Sequence, residues 1–555
     1  MRGAPNQASW SHRKKQGAKS VKFLNMAIST ALLSAAAVVT YAAASNPVVQ
    51  VTSGDIRGRL LPGGGATFKG VPYASPPVGE LRWRDPQPVQ TWAEIREAGN
   101  FGPPCTQRIA DWNRQEAQGN QEDCLYLNVW TPEWPAESPK AVMVWLHGGG
   151  NWGGAASVDY MDGTSLSRRG VVVVSINYRL GVFGFFAHPG LTAESSHHSS
   201  GNYGLLDQLA ALQWVRDNIA SFGGDPERVT LFGQSAGAID TAYLAASPLA
   251  KGLIHQTIQQ SGPPIRPKAS LAHAEQQGVK FAASLNAPAD AAAAVQFLRS
   301  LSGPDLQEAA LTKLQDTGGP PNDPLIDGYL MPKDAAFSFR EGEELSIPMI
   351  VGNNAHEHAR GYGREDILRV IDLNFGELAP EAVAYYGLDK SKLGNGDPLY
   401  GPAGDQASAD TRHRCPAVAE SIWRSSNGRP TYQYEFDPPV AGEKLTRHQA
   451  EIGFVFGNLL TTGYLGGPYT NADRKISAQI QTYWTNFAKT GNPNLPSLDG
   501  LPEWPMFNPT TRPYLRFTQR DGPVVRESLR REICDLYIEA LEKTLAAGTA
   551  AGRLD

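Results

Sequence analysis

The chain has 555 residues, of which 41% are hydrophobic and 19% are charged. This is an ordinary globular composition, and it excludes a chain that stays mainly disordered. The 50 lysines and arginines against 55 acidic residues give a net charge of −5, which supplies no basic surface for a phosphate backbone, so we expect no nucleic-acid partner.

The first 44 residues have the features of an export signal. Six lysines and arginines, with no acidic residue, precede an apolar stretch from Phe23 to Tyr41, which is followed by Ala42-Ala43-Ala44. This order predicts a cleaved signal in residues 1–44, with Met26 as an alternative start, and a protein exported to the periplasm or the medium. A membrane anchor is the alternative, although we expect no stable membrane insertion once the signal is removed. Loss of the six basic residues would change the net charge from −5 to −11.

From Leu125 onward, short apolar runs alternate with helix-like segments, which predicts an α/β fold in a single domain over residues 45–545. The run Val171 to Val174 is apolar on both faces, as expected for a central strand with helices on each side. Residues 267–330 and 364–425 are predicted as helical insertions over the active site, and residues 546–555 as a flexible tail. The predicted strands are Leu125 to Trp130, Ala141 to Leu146, Val171 to Ile176, Val229 to Phe232, His255 to Gln260 and Pro348 to Val351. The predicted helices are Tyr203 to Ile219, Ala236 to Ala246, Asp473 to Lys489 and Arg526 to Leu545.

A Gly-x-Ser-x-Gly motif, Gly233 to Gly237, stands between a predicted strand and a predicted helix. A serine held at such a sharp turn needs glycine two residues to each side, because the neighbouring backbones approach closely there. The pattern alone occurs often by chance, but its position after an apolar run and before a helix predicts that Ser235 is a nucleophile. The start of the helix also favours developing negative charge.

A second glycine motif, His147-Gly148-Gly149-Gly150, follows the strand predicted at Ala141 to Leu146. Consecutive glycines at a strand end allow several backbone N–H groups to point into one cavity, as an oxyanion hole requires. An ordinary glycine-rich turn is the alternative. Acyl transfer needs both a nucleophile and an oxyanion hole, and the two motifs occur here in the expected order along the chain.

The four cysteines, Cys105, Cys124, Cys415 and Cys534, all follow the predicted signal. An even number in an exported chain permits disulfides, and four cysteines allow three pairings that spacing alone does not settle. The close pair Cys105 and Cys124 is the simplest choice. Four reduced, buried thiols are the alternative, and no zinc-type cysteine spacing occurs.

Together with these motifs, further segments make the chain resemble the type-B carboxylesterases, the α/β-hydrolase family that contains the cholinesterases. The resemblance covers nearly all of the chain after the signal, and its motifs are highly specific. It implies an α/β-hydrolase fold with a large, mostly parallel sheet, and hydrolysis of small-molecule carboxylic esters without a cofactor. The matching segments are Phe68 to Ala74, Pro77 to Trp83, Glu122 to Val129, Asn177 to Gly181, Gly201 to Asp207 and Phe222 to Pro226.

The resemblance also implies a role for each site residue. Ser235 matches the nucleophile, Glu357 the acid and His448 the general base, in the chain order that α/β-hydrolases use. The family's pairing of cysteines further implies both a Cys105–Cys124 and a Cys415–Cys534 disulfide. The three backbone donors of the oxyanion hole are matched by Gly149, Gly150 and Ala236.

Two histidines next to the predicted acid raise the alternative of a metal site. His356 and His358 flank Glu357. A His-Glu-His tripeptide does not easily point three ligands in one direction, and no His-Glu-x-x-His helix is present, so we expect no metal.

Two departures from the cholinesterase pattern bear on the substrate. Neutral Gln234 stands before the serine, where cholinesterases carry glutamate, which favours uncharged or anionic esters over choline esters. The loop from Cys105 to Cys124 is shorter than in cholinesterases, so Trp112 is interpreted as a loop anchor rather than as their cation-binding tryptophan. An amidase or peptidase on the same fold, and a non-catalytic cholinesterase-like binding protein, are the alternative functions.

Overall fold

A computed structural model of the chain describes residues 45–265, 268–313, 323–358, 361, 363–389 and 396–547. The predicted signal, residues 1–44, lies outside the described residues, as does most of the predicted tail at 546–555. Residues 46–555 group into one unit. In the part of the chain that is described, no helix has both the length and the apolar character needed to cross a membrane.

The strands of the described residues are β1 (Val48–Val51), β2 (Gly54–Arg57), β3 (Arg59–Leu60), β4 (Ala66–Pro72), β5 (Arg96–Glu97), β6 (Tyr126–Thr131), β7 (Lys140–Leu146), β8 (Val172–Ile176), β9 (Gly224–Gln234), β10 (Gln256–Gln260), β11 (Met349–Asn354), β12 (Thr431–Phe436), β13 (Pro513–Thr518) and β14 (Gly522–Glu527). Eleven of them form one large sheet in the order β14-β13-β12-β11-β10-β9-β7-β8-β6-β4-β3, and β1, β2 and β5 form a small second sheet. The large sheet is parallel from β8 through β7 and β9 to β13, and antiparallel at both margins.

The helices of the described residues surround this sheet. They are α1 (Thr164–Ser167), α2 (Gly181–Phe185), α3 (Pro189–Glu194), α4 (Tyr203–Asn218), α5 (Ala236–Ala246), α6 (Leu271–Ser284), α7 (Ala291–Ser300), α8 (Gly303–Lys313), α9 (Ala335–Glu341), α10 (Arg364–Phe375), α11 (Ala379–Tyr385), α12 (Ala403–Ala409), α13 (Cys415–Ser426), α14 (Ile452–Phe456), α15 (Asn471–Thr490) and α16 (Arg531–Ala546).

Alternate side chains of the central strands belong to two different apolar clusters. Val142 and Val144 of β7 pack in a cluster that includes Leu212 and Val215 of α4. Met143 and Trp145 pack in another, which includes the buried residues of α15. Because successive side chains of a strand point to opposite faces, the two clusters lie on opposite faces of the sheet. The large, mostly parallel sheet with helices on both faces confirms the predicted fold class.

The predicted start of the last helix is wrong. The helix predicted from Arg526 begins at Arg531, and Arg526 is part of β14, which pairs antiparallel with β13. Ser528 and Arg530 separate the strand from the helix, and both have positive φ angles, 59° and 45°. A residue in the left-handed region cannot continue a right-handed helix, so the helix cannot extend back past this turn.

The parallel strands bring four chain segments to one edge of the sheet. Strands β9, β10, β11 and β12 are neighbours and run in the same direction, so their carboxyl ends meet at that edge. Ser235 directly follows β9, Ser261 directly follows β10, and Glu357 comes soon after β11. His448 lies in the segment that joins β12 to α14. Side chains distant in the sequence are therefore brought together by the topology.

Candidate active site

Ser235 occupies the turn between β9 and α5. Its φ and ψ angles are 55° and −122°, a combination that residues other than glycine seldom adopt. Its N–H donates a 2.8 Å hydrogen bond to the carbonyl of Gln260 at the end of the neighbouring strand. This sharp turn leaves the serine half-exposed, whereas Gln234 before it and Ala236 after it are buried.

The two glycines of the Gly-x-Ser-x-Gly motif are required by close backbone contacts. A Cβ atom on Gly233 would lie 2.4 Å from the carbonyl carbon of Gly237. A Cβ atom on Gly237 would lie 2.2 Å from the carbonyl oxygen of Leu146, in strand β7. Any side chain at either position would push the turn away from the sheet. These clashes explain why the motif has glycine two residues before and two residues after the serine.

The predicted oxyanion-hole loop packs directly against the serine turn. A Cβ atom on Gly148 would lie 2.7 Å from the Gln234 carbonyl oxygen and 3.1 Å from Cβ of Ser235. Gly149 and Gly150 have φ angles of 110° and 63°, which side-chain-bearing residues rarely adopt. The loop can therefore approach the serine only because these positions are glycine.

Buried hydrogen bonds hold this loop in place. The Tyr178 hydroxyl donates a 2.7 Å hydrogen bond to the carbonyl of His147, and the two rings stack with centroids 4.5 Å apart. Asn151 donates a 3.0 Å hydrogen bond to the carboxylate of Asp240, on helix α5. Burial lowers the pKa of His147 to about 4, so this histidine is neutral at ordinary pH. A neutral, stacked His147 is a structural part of the loop rather than an acid or base.

Glu357 and His448 form a buried pair. Nδ1 of His448 lies 2.6 Å from Oε2 of Glu357, and the backbone N–H of His448 donates to the Glu357 carbonyl at 2.6 Å. The two residues are 91 positions apart in the sequence. Since the carboxylate faces Nδ1, this nitrogen carries the proton when the imidazole is neutral, and Nε2 is left as the basic atom.

Burial and four neighbouring groups set the state of the Glu357 carboxyl. Burial raises its pKa from the ordinary value of 4.5 to about 7. The Ser261 hydroxyl and the Asn354 backbone N–H each donate a 2.8 Å hydrogen bond to Oε1, and both lower the pKa. Arg414 and His356 lower it further by their charge. These groups favour the carboxylate in a setting that otherwise favours the neutral acid.

The side chain before the serine contacts the other nitrogen of the imidazole. Nε2 of Gln234 lies 3.1 Å from Nε2 of His448, in a buried environment. Because His448 Nδ1–H faces the Glu357 carboxylate, its Nε2 accepts this hydrogen bond from the amide N–H. The contact places the basic nitrogen of His448 next to the residue that precedes Ser235.

The histidines on either side of Glu357 point to different partners. Nε2 of His356 lies 3.1 Å from a carboxylate oxygen of Asp405, and Nδ1 lies 2.9 Å from the carbonyl of Thr446. The ring of His358 instead lies 4.2 Å from that of His448, centroid to centroid. The His356-Glu357-His358 tripeptide therefore does not direct its three side chains to one point.

Two tryptophans border the glycine loop. A Cβ atom on Gly149 would lie 3.0 Å from the Trp112 ring, and one on Gly150 would lie 2.9 Å from Trp152. The two indoles meet edge to face with centroids 5.3 Å apart. Trp112, interpreted from the sequence as a loop anchor, thus lies beside the glycine loop.

Both disulfides implied by the family resemblance are present. Cys105 is bonded to Cys124, and Cys415 to Cys534. The second bridge joins the first residue of α13 to the first turns of α16. The chain has no other cysteine.

Sequence reasoning missed three residues of this site: Ser261, which hydrogen-bonds Glu357; Gln234 as a contact of His448; and His413, whose ring lies 5.2 Å from that of His448. Ser261 could have been found, because it directly follows β10, which neighbours the strand that ends before Ser235. Nothing in the sequence indicated His413, which lies in a helix far along the chain.

Comparison with known proteins identifies the family. The carboxylesterase family profile matches residues 45–366 and 377–537. The chain is 36% identical to the fumonisin B1 esterase of Sphingopyxis macrogoltabida, over 86% of this chain and 88% of that protein. It is 35% identical to human carboxylesterase 3, over 86% and 88% of the two chains, and 32% identical to the acetylcholinesterase of Bungarus fasciatus, over 90% and 87%. The chain therefore belongs to the carboxylesterase family and is a carboxylic ester hydrolase.

Proposed function

We propose that this esterase hydrolyses its substrates through a Ser235 nucleophile, a His448 general base and a Glu357 partner. The observation that carries the proposal is the position of the His448 ring. Its Nδ1 contacts the Glu357 carboxylate at 2.6 Å, while its Nε2 contacts Gln234, the neighbour of Ser235 in the chain. A serine activated in this way needs a base on one side and a carboxylate that orients the base on the other.

In the first half of the reaction, Ser235 Oγ attacks the ester carbonyl while His448 Nε2 takes its proton. The Gln234 amide gives up its place at Nε2 so that the hydroxyl can bind there, and such rearrangements on substrate binding are common. His448 then passes the proton to the leaving oxygen, which departs as an alcohol and leaves an acyl-enzyme. In the second half, water attacks the acyl-enzyme by the same route and releases the acid. The scheme needs no cofactor.

The N–H groups of Gly149, Gly150 and Ala236 are proposed to stabilise the oxyanion. Ala236 is the first residue of α5, so its N–H has no acceptor within the helix. The glycine loop is in contact with the serine turn, because a Cβ atom on Gly148 would lie within 3.1 Å of atoms of Gln234 and Ser235. Removing one such donor costs about 3 to 4 kcal/mol in other acyl-transfer enzymes.

We expect the preferred substrates to be uncharged or anionic esters of small molecules. Gln234 adds no charge beside the base, whereas a glutamate there would help to hold a cationic alcohol group. A net charge of −5 over the whole chain does not attract anions at long range, so selection would depend on contacts inside the site. Trp112 and Trp152 supply apolar and aromatic surface next to the glycine loop.

We also propose that the protein is exported. Its four cysteines form two disulfides, and disulfides persist mainly in oxidising compartments. The predicted signal in residues 1–44 agrees with this location. Sequencing the N-terminus of the mature protein would test the cleavage after Ala44.

The test of the proposed mechanism is the rate of Ser235→Ala on p-nitrophenyl esters from acetate to palmitate, with choline esters added. We expect kcat to fall on the order of 10⁴-fold or more, with an unchanged unfolding midpoint. Ser421→Ala, which removes a buried hydroxyl that donates to the Ala417 carbonyl, is the control and should keep its activity. Ester hydrolysis by Ser235→Ala within tenfold of the parent rate would refute the nucleophile. Matched ester and amide substrates would distinguish an esterase from an amidase.

A further inference from the structure

Three histidines from separate parts of the chain meet at the candidate active site. They are His358, His413 and His448, and one ring nitrogen of each lies within 4.8 Å of a ring nitrogen of the other two. Their ring centroids are 4.2 Å apart for His358 and His448, 5.2 Å for His413 and His448, and 5.9 Å for His358 and His413. His413 and His448 are buried, and His358 is half-buried.

We propose that His358, His413 and His448 form a binding site for a zinc ion, or for a similar imidazole-binding transition metal, and that this metal reversibly inhibits the enzyme. Zinc is commonly held by three protein ligands with a fourth position left for water. Imidazole suits zinc, copper and nickel, whereas magnesium and calcium prefer oxygen ligands. The ion would inhibit the enzyme and take no part in catalysis, because the proposed reaction needs no metal.

The spacing of the three histidines is close to what zinc requires. Zn–N bonds of about 2.0 to 2.1 Å in a tetrahedron place the ligand nitrogens about 3.4 Å apart. The nitrogens of the cluster lie within 4.8 Å of one another, so an ion would have to draw them together by at most about 1.4 Å. Changes of this size lie within the reach of side-chain rotation.

The Glu357 carboxylate prepares His448 as a ligand. Because Glu357 faces Nδ1 of His448 at 2.6 Å, the unprotonated nitrogen is Nε2, and a metal would bind there after the Gln234 amide, 3.1 Å away, moves aside. Metal-bound histidines usually donate their other ring N–H to a carboxylate in this way, which fixes the tautomer and makes the ligand more basic. The arrangement that suits a general base therefore also suits a metal ligand.

The second buried ligand lies on a well-anchored part of the fold. His413 belongs to a π-helical turn, Asp410–Arg414, between α12 and α13. The Asp410 carboxylate forms ion pairs with Arg414 and Arg530, and the next residue, Cys415, is disulfide-bonded. π-helical turns within α-helices often occur at functional sites. This anchoring limits the motion of the His413 backbone, so the ring stays near His448.

Inhibition follows because the lone pair of His448 Nε2 cannot bind a metal and accept the Ser235 proton at the same time. A metal at His448 Nε2 occupies the electron pair that would otherwise accept the Ser235 proton, so the serine is not activated. This inhibitory effect rests on the proposed function of His448. Metal binding itself depends only on the three imidazoles, so the two parts can be tested separately.

The test uses the intact protein, first treated with EDTA and then dialysed. Zinc binding is measured by calorimetry, and inhibition by the rate on p-nitrophenyl acetate at increasing ZnCl2. We expect one zinc ion per chain and inhibition that EDTA reverses, with no effect of magnesium. His413→Gln and His358→Gln should each weaken binding and inhibition by about 100-fold or more, each compared with its own metal-free rate. His273→Gln, which changes an exposed histidine on α6, should leave both unchanged.

The outcomes separate the two proposals. Full activity at millimolar zinc would overturn the proposed inhibition, and equal zinc affinity in the parent, His413→Gln and His358→Gln would overturn the metal site. If His413→Gln does not fold, the half-buried His358 carries the test. Calorimetry on Ser235→Ala should give the parent zinc affinity. If that variant still hydrolyses esters, the proposed nucleophile fails, whereas the histidine variants still decide whether the metal site exists.

Discussion

Replacing Ser261 by alanine should shift ester hydrolysis to higher pH. The Ser261 hydroxyl donates a 2.8 Å hydrogen bond to Oε1 of Glu357, and both residues are buried. Burial raises the pKa of Glu357 to about 7, and this hydrogen bond is the strongest of the influences that lower it. A hydrogen bond to a charged group contributes about 1.5 to 3 kcal/mol, and about 1.4 kcal/mol corresponds to one pKa unit. The pKa of Glu357 should therefore rise by about one to two in the variant.

The direction of the effect follows from the form of Glu357 that the reaction needs. Only the carboxylate accepts the Nδ1–H of His448 and, in the proposed mechanism, stabilises the imidazolium that forms when Ser235 loses its proton. Protonated Glu357 does neither. A higher pKa therefore moves the acidic limb of the rate profile upward, and this limb belongs to the Glu357–His448 pair as a whole. We expect kcat/KM near neutral pH to fall by about tenfold or more and to recover toward the parent value at alkaline pH.

The assay is kcat/KM on p-nitrophenyl acetate from about pH 5 to about pH 9, corrected for spontaneous hydrolysis. Ser421→Ala serves as the control, since it removes an equally buried hydroxyl that donates to the Ala417 carbonyl. The control should keep the parent profile. An acidic limb of Ser261→Ala that coincides with the parent limb would show that this hydrogen bond does not set the state of Glu357, and the reasoning would be wrong.

Three other substitutions test the loop, the second disulfide and a buried acid. Gly148→Ala would place a Cβ atom 2.7 Å from the Gln234 carbonyl oxygen, so kcat should fall about 100-fold as the glycine loop is displaced; a rate within threefold of the parent would contradict this. Replacing Cys415 and Cys534 by serine opens a loop of 119 residues and should lower the free energy of unfolding in urea by about 4 kcal/mol, whereas equal urea midpoints would exclude that contribution. Burial raises the pKa of Glu116 from 4.5 to about 7, so this group reduces stability as pH rises from about 4.5 through 7. When unfolding in urea is measured above pH 7, Glu116→Gln should therefore have a higher midpoint than the parent, whereas near pH 4.5 the two midpoints should be similar. The same difference at both pH values would refute the linkage between this pKa and stability.

The parts of the fold that could be predicted are those with a strong local signal. Helix α5 was predicted at its observed bounds, because the apolar strand before it and the Gly-x-Ser-x-Gly turn fix where it begins. The start of α15 was missed by two residues, although Thr470 and Asp473 form a capping box that the sequence carries. The last two residues of β14, Arg526 and Glu527, are predicted as helix, since the pairing of this strand with β13 is a tertiary contact that no short window of sequence contains.

The residues of the candidate site also differ in whether a local sequence signal indicates them. Ser235 could be proposed from its immediate neighbours, because the chemistry of the turn is local. Glu357 and His448 stand 91 positions apart, and only the family resemblance implied that they belong together. His413 could not be proposed at all, because its position depends on how α12, the π-helical turn and α13 pack beside the sheet.

The Glu357–His448 contact has a mechanical consequence. The carbonyl of Glu357 accepts the backbone N–H of His448, and its carboxylate accepts the same residue's imidazole. Because two hydrogen bonds join the same two residues, we expect Glu357 and His448 to move together when the surrounding loops fluctuate. In the proposed mechanism, the distance that is left to adjust when substrate arrives is then the one between this pair and Ser235.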